Sequence, residues 1–156
     1  MTQPSPPTPV GSPLEGRTAL VAGGAKNHGR LISLELAAQG ADVFVHYNSD
    51  ATAAAADDTI AELTDLGVKA VAYQADLTSA QTVTDLFDTA LRECGRLDIA
   101  VNTVGKVVRK PIAETSEEEY DAMFAVNAKA AYFFIKEAGA HLEDGGKINR
   151  RRWATN

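Results

Sequence analysis

Cysteine is almost absent from this 156-residue chain: Cys94 stands alone. A single thiol excludes an internal disulfide and a metal site built from thiolates. Cys94 lies just before Gly95, near the expected end of a helix, and reads as a small buried hydrophobe. Histidine is also scarce. His28, His46 and His141 are far apart and show no ligand spacing, so no metal is expected. No window holds the ~18 apolar residues of a membrane-spanning helix. Residues Met1 to Pro9 have neither the basic start nor the apolar stretch of a secretory signal. The expected compartment is therefore cytoplasmic, with no membrane partner. Positive charge is in short supply, with 15 Lys and Arg against 21 Asp and Glu and a net charge of -6. That balance argues against general affinity for nucleic acid, which needs clustered Lys and Arg to meet phosphates. The one basic cluster is Arg150-Arg151-Arg152.

What remains is an ordinary globular composition, 45% hydrophobic and 23% charged, long enough for one domain with its own core. Residues 1–15 are rich in Pro, Ser and Thr and are expected to form a disordered tail, with order beginning near Gly16. Residues 16–149 alternate short apolar runs with helical patterns. Thr18 to Ala22 suits a buried strand, and Leu31, Leu34, Leu36 and Ala38 carry helical spacing before a stop at Gly40. Strand patterns recur at Asp42–Tyr47, Lys69–Tyr73 and Leu97–Asn102, and a fifth begins at Lys147–Asn149. Helical patterns fill Thr52–Leu66, the stretch from the Ser79 cap to Glu93, and a long one from the Ser116 cap to about Ala140. Glu117, Glu118 and Glu119 occupy its first turn, where the helix dipole favours negative charge. Such alternation predicts an α/β fold with a doubly wound parallel sheet, helices on both faces and right-handed crossovers. A ligand is expected where the crossovers reverse direction.

The segment after the first strand is Ala22-Gly23-Gly24-Ala25-Lys26-Asn27-His28-Gly29-Arg30. A turn of this kind brings backbone N–H groups close to a phosphate at the start of a helix whose dipole favours an anion. Gly23 permits the sharp turn and Gly29 permits close packing of helix on strand. A plain loop is the alternative, but the position between a strand and a helix at the front of a βαβ unit favours phosphate binding.

These residues resemble the short-chain dehydrogenase/reductase (SDR) family, a Rossmann-type group. Its fingerprint is Thr-Gly-x-x-x-Gly-x-Gly; here Ala22 replaces the Thr and Asn27 the middle Gly. Asn tolerates left-handed backbone better than other non-glycine residues, so the turn is expected to survive. Further matches come in the family's order. Asp76, followed by Leu77, stands where an acidic residue contacts adenine. Asn102-Thr103-Val104-Gly105 resembles the Asn-Asn-Ala-Gly motif that steadies the sheet and lies against the cofactor. Asn127 matches the helix asparagine of the catalytic tetrad. The resemblance covers residues 16 to about 148.

The resemblance implies hydride transfer between a nicotinamide cofactor and a carbonyl or alcohol carbon of a small molecule. An acidic residue closing the second strand would hydrogen-bond the ribose hydroxyls of NAD. That place holds Tyr47, followed by Asn48 and Ser49, with no carboxylate before Asp50. Lys26 is placed to pair with a 2′-phosphate, so NADP(H) is expected over NAD(H). Asn27 and His28 belong to the same turn. His46 is expected to pack in its strand rather than act as an acid or base.

In the family order, a Ser and a Tyr-x-x-x-Lys follow the fifth strand, where this chain reads Asn149-Arg150-Arg151-Arg152-Trp153-Ala154-Thr155-Asn156. Residues 150–156 are read as an aberrant basic tail, and the domain as truncated after about the fifth strand. The chain as written is expected to be marginally stable and to turn over little, with Asn127 its only tetrad member. A non-catalytic NADP(H)-binding pseudoenzyme, an association subunit and a non-functional gene fragment are the rival readings. Homo-oligomerisation is expected of a full-length form. Tyr132-Phe133-Phe134-Ile135-Lys136 matches Tyr-x-x-x-Lys as a string but falls on the Asn127 helix. It is read as a decoy, with Tyr132 and Phe133 on a packing face.

Overall fold

The computed structural model describes residues 11–150, and of Arg150 only the backbone. Of the tail expected over residues 1–15, residues 1–10 lie outside the described residues, as do residues 151–156 of the basic tail read over 150–156; Arg150 itself closes a strand, its backbone in register with Asn102. Five strands form one parallel sheet: β1 (Thr18–Ala22), β2 (Asp42–Tyr47), β3 (Ala70–Gln74), β4 (Ile99–Asn102) and β5 (Lys147–Arg150). Their spatial order is β3-β2-β1-β4-β5. The helices are α1 (Asn27–Ala38), α2 (Ala53–Asp65), α3 (Ala80–Cys94), α4 (Glu117–Phe124) and α5 (Ala130–His141). Short 3-10 turns occupy Asp50–Thr52 and Ile112–Glu114.

All five residues of β1 are buried. That is the signature of a parallel strand covered on both faces, which reads as one apolar run rather than an alternation. Successive side chains still point to opposite faces. Leu20 and Phe44 join Val83, Leu86, Phe87 and Phe134 in a core beneath α3 and α5. Val21, Val43 and Val45 join Ala37, Ala56 and Leu63 beneath α1 and α2. Phe87 and Phe134 meet edge to face, ring centroids 5.0 Å apart, and fasten α3 to α5. Fully burying side chains of this size stabilises by about 2 kcal/mol each.

The chain winds outward from β1 to β2 and β3, then returns to lay β4 on the other side of β1. Ala22, at the end of β1, is in register with His46 on one side and Asn102 on the other. The crevice between the β1 and β4 ends is therefore the switch point of the sheet.

Asp98 ties the opposite edge together. It accepts hydrogen bonds from Arg96 (2.6 and 2.8 Å), Arg17 (2.7 Å) and the Thr18 N–H (3.0 Å). Burial alone would raise its carboxyl pKa. The hydrogen bonds from Arg96, the Thr18 amide and Arg17 outweigh burial and hold it well below the usual carboxylate range.

Three details differ from the sequence expectations. Packing begins ahead of Gly16, since the Leu14 N–H donates to Gln39 O at 2.9 Å. The helix expected from Ser116 to about Ala140 is interrupted: a π-helical turn over Ala125–Lys129 separates α4 from α5. Its capping box is present, with the Glu119 N–H donating to Ser116 Oγ at 3.2 Å and the Ser116 N–H to Glu119 at 2.9 Å. Tyr132 does not join a packing face. It is 67% exposed, while Phe133, about 100° further round the helix, packs on the core. Among the described residues no helix is long and apolar enough to cross a membrane. Cys94 ends α3 half-buried against the core, and burial pushes its thiol pKa up.

Candidate functional site

A cavity of about 930 Å³ opens at the switch point. Its walls come from the turn between β1 and α1, the end of β2, the loop after β4, and Val126 of the π-helical turn. This volume lies within the ~300–1,000 Å³ typical of ligand sites.

The turn fits its place only as glycine. Gly23 has φ of 74°, and a Cβ there would come 2.7 Å from Thr103 Oγ1. A Cβ on Gly29 would stand 2.0 Å from Gly23 O, an approach no side chain can make. Asn27 occupies left-handed space at φ of 53°, as its substitution for glycine requires. α1 begins here at Asn27, ahead of the apolar spacing that marks it in the sequence. Lys26, its N-cap residue, makes no side-chain capping bond, whereas Ser79 and Ser116 cap α3 and α4. The first N–H groups of a helix have no intrahelical partner, so the α1 start is left to an external acceptor.

Four buried or half-buried side chains hold the turn from behind. Thr103 Oγ1 donates to Ala22 O at 2.8 Å, Ser33 Oγ donates to Gly29 O at 2.9 Å and lies 3.3 Å from Gly24 O, and Thr59 Oγ1 shares its proton between Ala55 O at 2.8 Å and Ala25 O at 2.9 Å. The Ala22 carbonyl is thus engaged by both the hydroxyl and the amide of Thr103, which keeps its negative end from an incoming anion. The fourth is His46. Its Nδ1 accepts from the Gly23 N–H at 3.1 Å, and its Nε2 donates to Ala75 O at 2.8 Å. Burial lowers its pKa to about 4, opposed in part by the Ala75 bond and by Asp76.

Ten of the residues singled out in the sequence line this cavity: Gly23, Lys26, Asn27, His28, Gly29, Tyr47, Asn48, Ser49, Val104 and Gly105. Asp76, Leu77, Asn102 and Asn127 are not on its wall. Leu77 is buried in the α3 core. Asp76 is exposed, its carboxylate accepting the Thr78 N–H at 3.0 Å. Asn102 shapes the loop after β4 by accepting the Val104 N–H at 2.9 Å. Asn127 clamps Lys106 from both sides, its Oδ1 accepting the Lys106 N–H at 2.9 Å and its Nδ2 donating to Lys106 O at 2.7 Å.

The wall also includes residues that no motif in the sequence marks as site residues, among them His46, Thr103, Arg30 and Lys106. Thr103 carried a readable signal. The hydroxyl absent at Ala22 reappears across the crevice on Thr103 and bonds the Ala22 backbone. Arg30 is engaged by Glu62 in an ion pair on the flank of α1.

A glycine turn, an uncapped helix start and a switch-point cavity define a doubly wound protein of the nucleotide-binding class. The sequence pattern of the short chain dehydrogenase family matches residues 17–149. This chain belongs to that family of oxidoreductases. It is 43% identical over 135 residues to the hydroxynaphthalene reductase-like protein Arp2 of Metarhizium brunneum, covering 86% of this chain and 50% of that protein. Hydroxynaphthalene reductase arp2 of Aspergillus fumigatus is 38% identical over 136 residues, 87% of this chain and 49% of its own. Among solved structures, a Burkholderia cenocepacia protein assigned as a dehydrogenase, with bound NADP, matches with a TM-score of 0.86 and 55% identity, over 88% of this chain and 52% of that one. A short chain dehydrogenase of Burkholderia cenocepacia J2315 in complex with NADP matches with a TM-score of 0.84 and 34% identity, over 88% and 55%. The chain thus spans about half the length of the relatives it matches.

Proposed function

We propose that this chain is the NADP(H)-holding portion of an oxidoreductase that interconverts carbonyl and alcohol groups of a small molecule. The observation that carries this is the uncapped start of α1 opening on the switch-point cavity, held so close to the glycine turn that a side chain on Gly29 would collide with Gly23 O. The cavity has room for a dinucleotide, and Thr103 holds the Ala22 carbonyl behind it. Amides of Asn27, His28 and Gly29 hold the pyrophosphate, and Gly23 lets it approach. Val104 and Gly105 lie against the nicotinamide half. Asp76, exposed just beyond the end of β3, is the acidic group left for the adenine side, while Leu77 stays in the α3 core. Asn102 and Asn127 act from behind the wall, each fixing the loop after β4 by a backbone hydrogen bond.

The phosphate preference follows from charge. Among the described residues no carboxylate lines the cavity, whereas Lys26, on the same wall as Tyr47, Asn48 and Ser49, supplies a cation for the 2′-phosphate. The two NADP-bound relatives support the same choice. When bound, the cofactor supplies the hydride that reaches the carbonyl carbon as a proton reaches its oxygen. Tyr132 does not take the proton-donor role, being 67% exposed on α5 and not on the cavity wall.

Calorimetric titration of the chain with NADP+ and NAD+ tests the reading. NADP+ is expected to bind at least tenfold more tightly. Lys26→Ala should remove about 1.4 kcal/mol from NADP+ binding and leave NAD+ unchanged. Equal affinities would overturn the NADP(H) preference; no heat with either cofactor would overturn the site itself.

A further inference from the structure

We infer that His46 is a positioning residue for the dinucleotide, a neutral imidazole that fastens the first glycine of the turn to the loop leading to Asp76. The inference rests on the cofactor site proposed above. Its geometry admits one tautomer. The Gly23 N–H can only donate, so Nδ1 must be bare. The Ala75 carbonyl can only accept, so Nε2 must carry the proton. His46 is 1% exposed, so its ring is shut off from bulk solvent. Its backbone extends the same clamp, since the Gly24 N–H donates to His46 O at 3.0 Å. The loop is drawn to β2 a second time where the Ala75 N–H donates to Tyr47 O at 3.0 Å.

Two consequences follow. The amides of Gly23 and Gly24 are already engaged by His46, so phosphate recognition falls on the start of α1 rather than on the first glycines. The phosphate end and the adenine end of the cavity also share one rigid connection. A side chain that fills the space without bonding would leave the Gly23 amide unpaired and let the two ends drift apart. A glutamine carries an acceptor and a donor on one planar group and can restore the bridge.

Three measurements on the full chain test this: NADP+ affinity of the wild type, of His46→Phe and of His46→Gln, each with its thermal midpoint, and the nitrogen NMR signals of His46. The expected result is a tenfold or greater loss of affinity in His46→Phe, with His46→Gln within about threefold of wild type. If both variants bind as the wild type does, or if both lose affinity equally, the positioning role is overturned. If His46→Phe fails to fold, the wild-type imidazole decides. At pH 7 it should show a bare Nδ1 coupled to the Gly23 amide and a protonated Nε2, both shifting when NADP+ is added. The opposite tautomer, or signals indifferent to NADP+, would overturn the inference. A wild type that binds no cofactor sinks the proposed site instead, so the two failures are distinct.

Discussion

His46 holds one proton between two nitrogens, and burial decides what happens to a second. Its pKa in the fold is lowered to about 4, against 6.5 for an ordinary histidine. Between those two values the unfolded chain binds more protons than the folded one, so stability falls as pH drops through the window. The full gap is worth about 3 kcal/mol. Urea unfolding at pH 7.5 and 4.5 should show the wild type losing about 2–3 kcal/mol more than His46→Gln; parallel losses would contradict a buried neutral imidazole. At this scale the sequence was legible where glycine has no substitute. Gly23 and Gly29 could be read because a strand followed by a tight turn admits little else. His46 could not, because its role depends on Ala75, distant in sequence and brought near by the pairing of β2 with β3. Thr103 lay between these cases, visible as a departure from the family motif but explicable only once it faced Ala22.

The five strands were legible in number, and the helices in type and place, because each strand or helix carries its own period. Their interruptions were not. Helical spacing runs unbroken through Val126 and Asn127, yet the backbone widens there into a π-helical turn. Such bulges occur often at functional sites. Here the turn carries the amide that grips Lys106 by both its N–H and its carbonyl. The contact is tertiary, with a partner 21 residues away, so no local pattern announces it. Asn127→Ala removes both bonds, worth about 1–2 kcal/mol together. The expected outcome is hydrogen exchange at Lys106 and its neighbours at least tenfold faster, with helix content by circular dichroism unchanged. Unaltered exchange would mean the loop is held by something else.

Across the whole molecule, the two edges of the sheet do different work. The edge at the C-terminal ends of the strands carries the cavity, and the opposite edge carries the Asp98 cluster with Arg17 and Arg96. Asp98→Ala leaves the Thr18 amide without its partner and should cost about 2–3 kcal/mol of stability, read as a lower urea midpoint, while NADP+ affinity at 25 °C stays within twofold. A parallel loss of affinity would mean that the edges are not independent. The parallel sheet was legible because alternating strand and helix periods leave few other topologies. The side of the cofactor choice is less deeply written, since it rests on Lys26 and on an absent carboxylate. The most direct test of the account is to follow backbone amide signals by NMR as NADP+ is added to the chain. Shifts are expected at Gly23 to Gly29, Tyr47 to Ser49 and Thr103 to Lys106, with the amides around Asp98 still. Shifts centred elsewhere, or none at saturating NADP+, would contradict it.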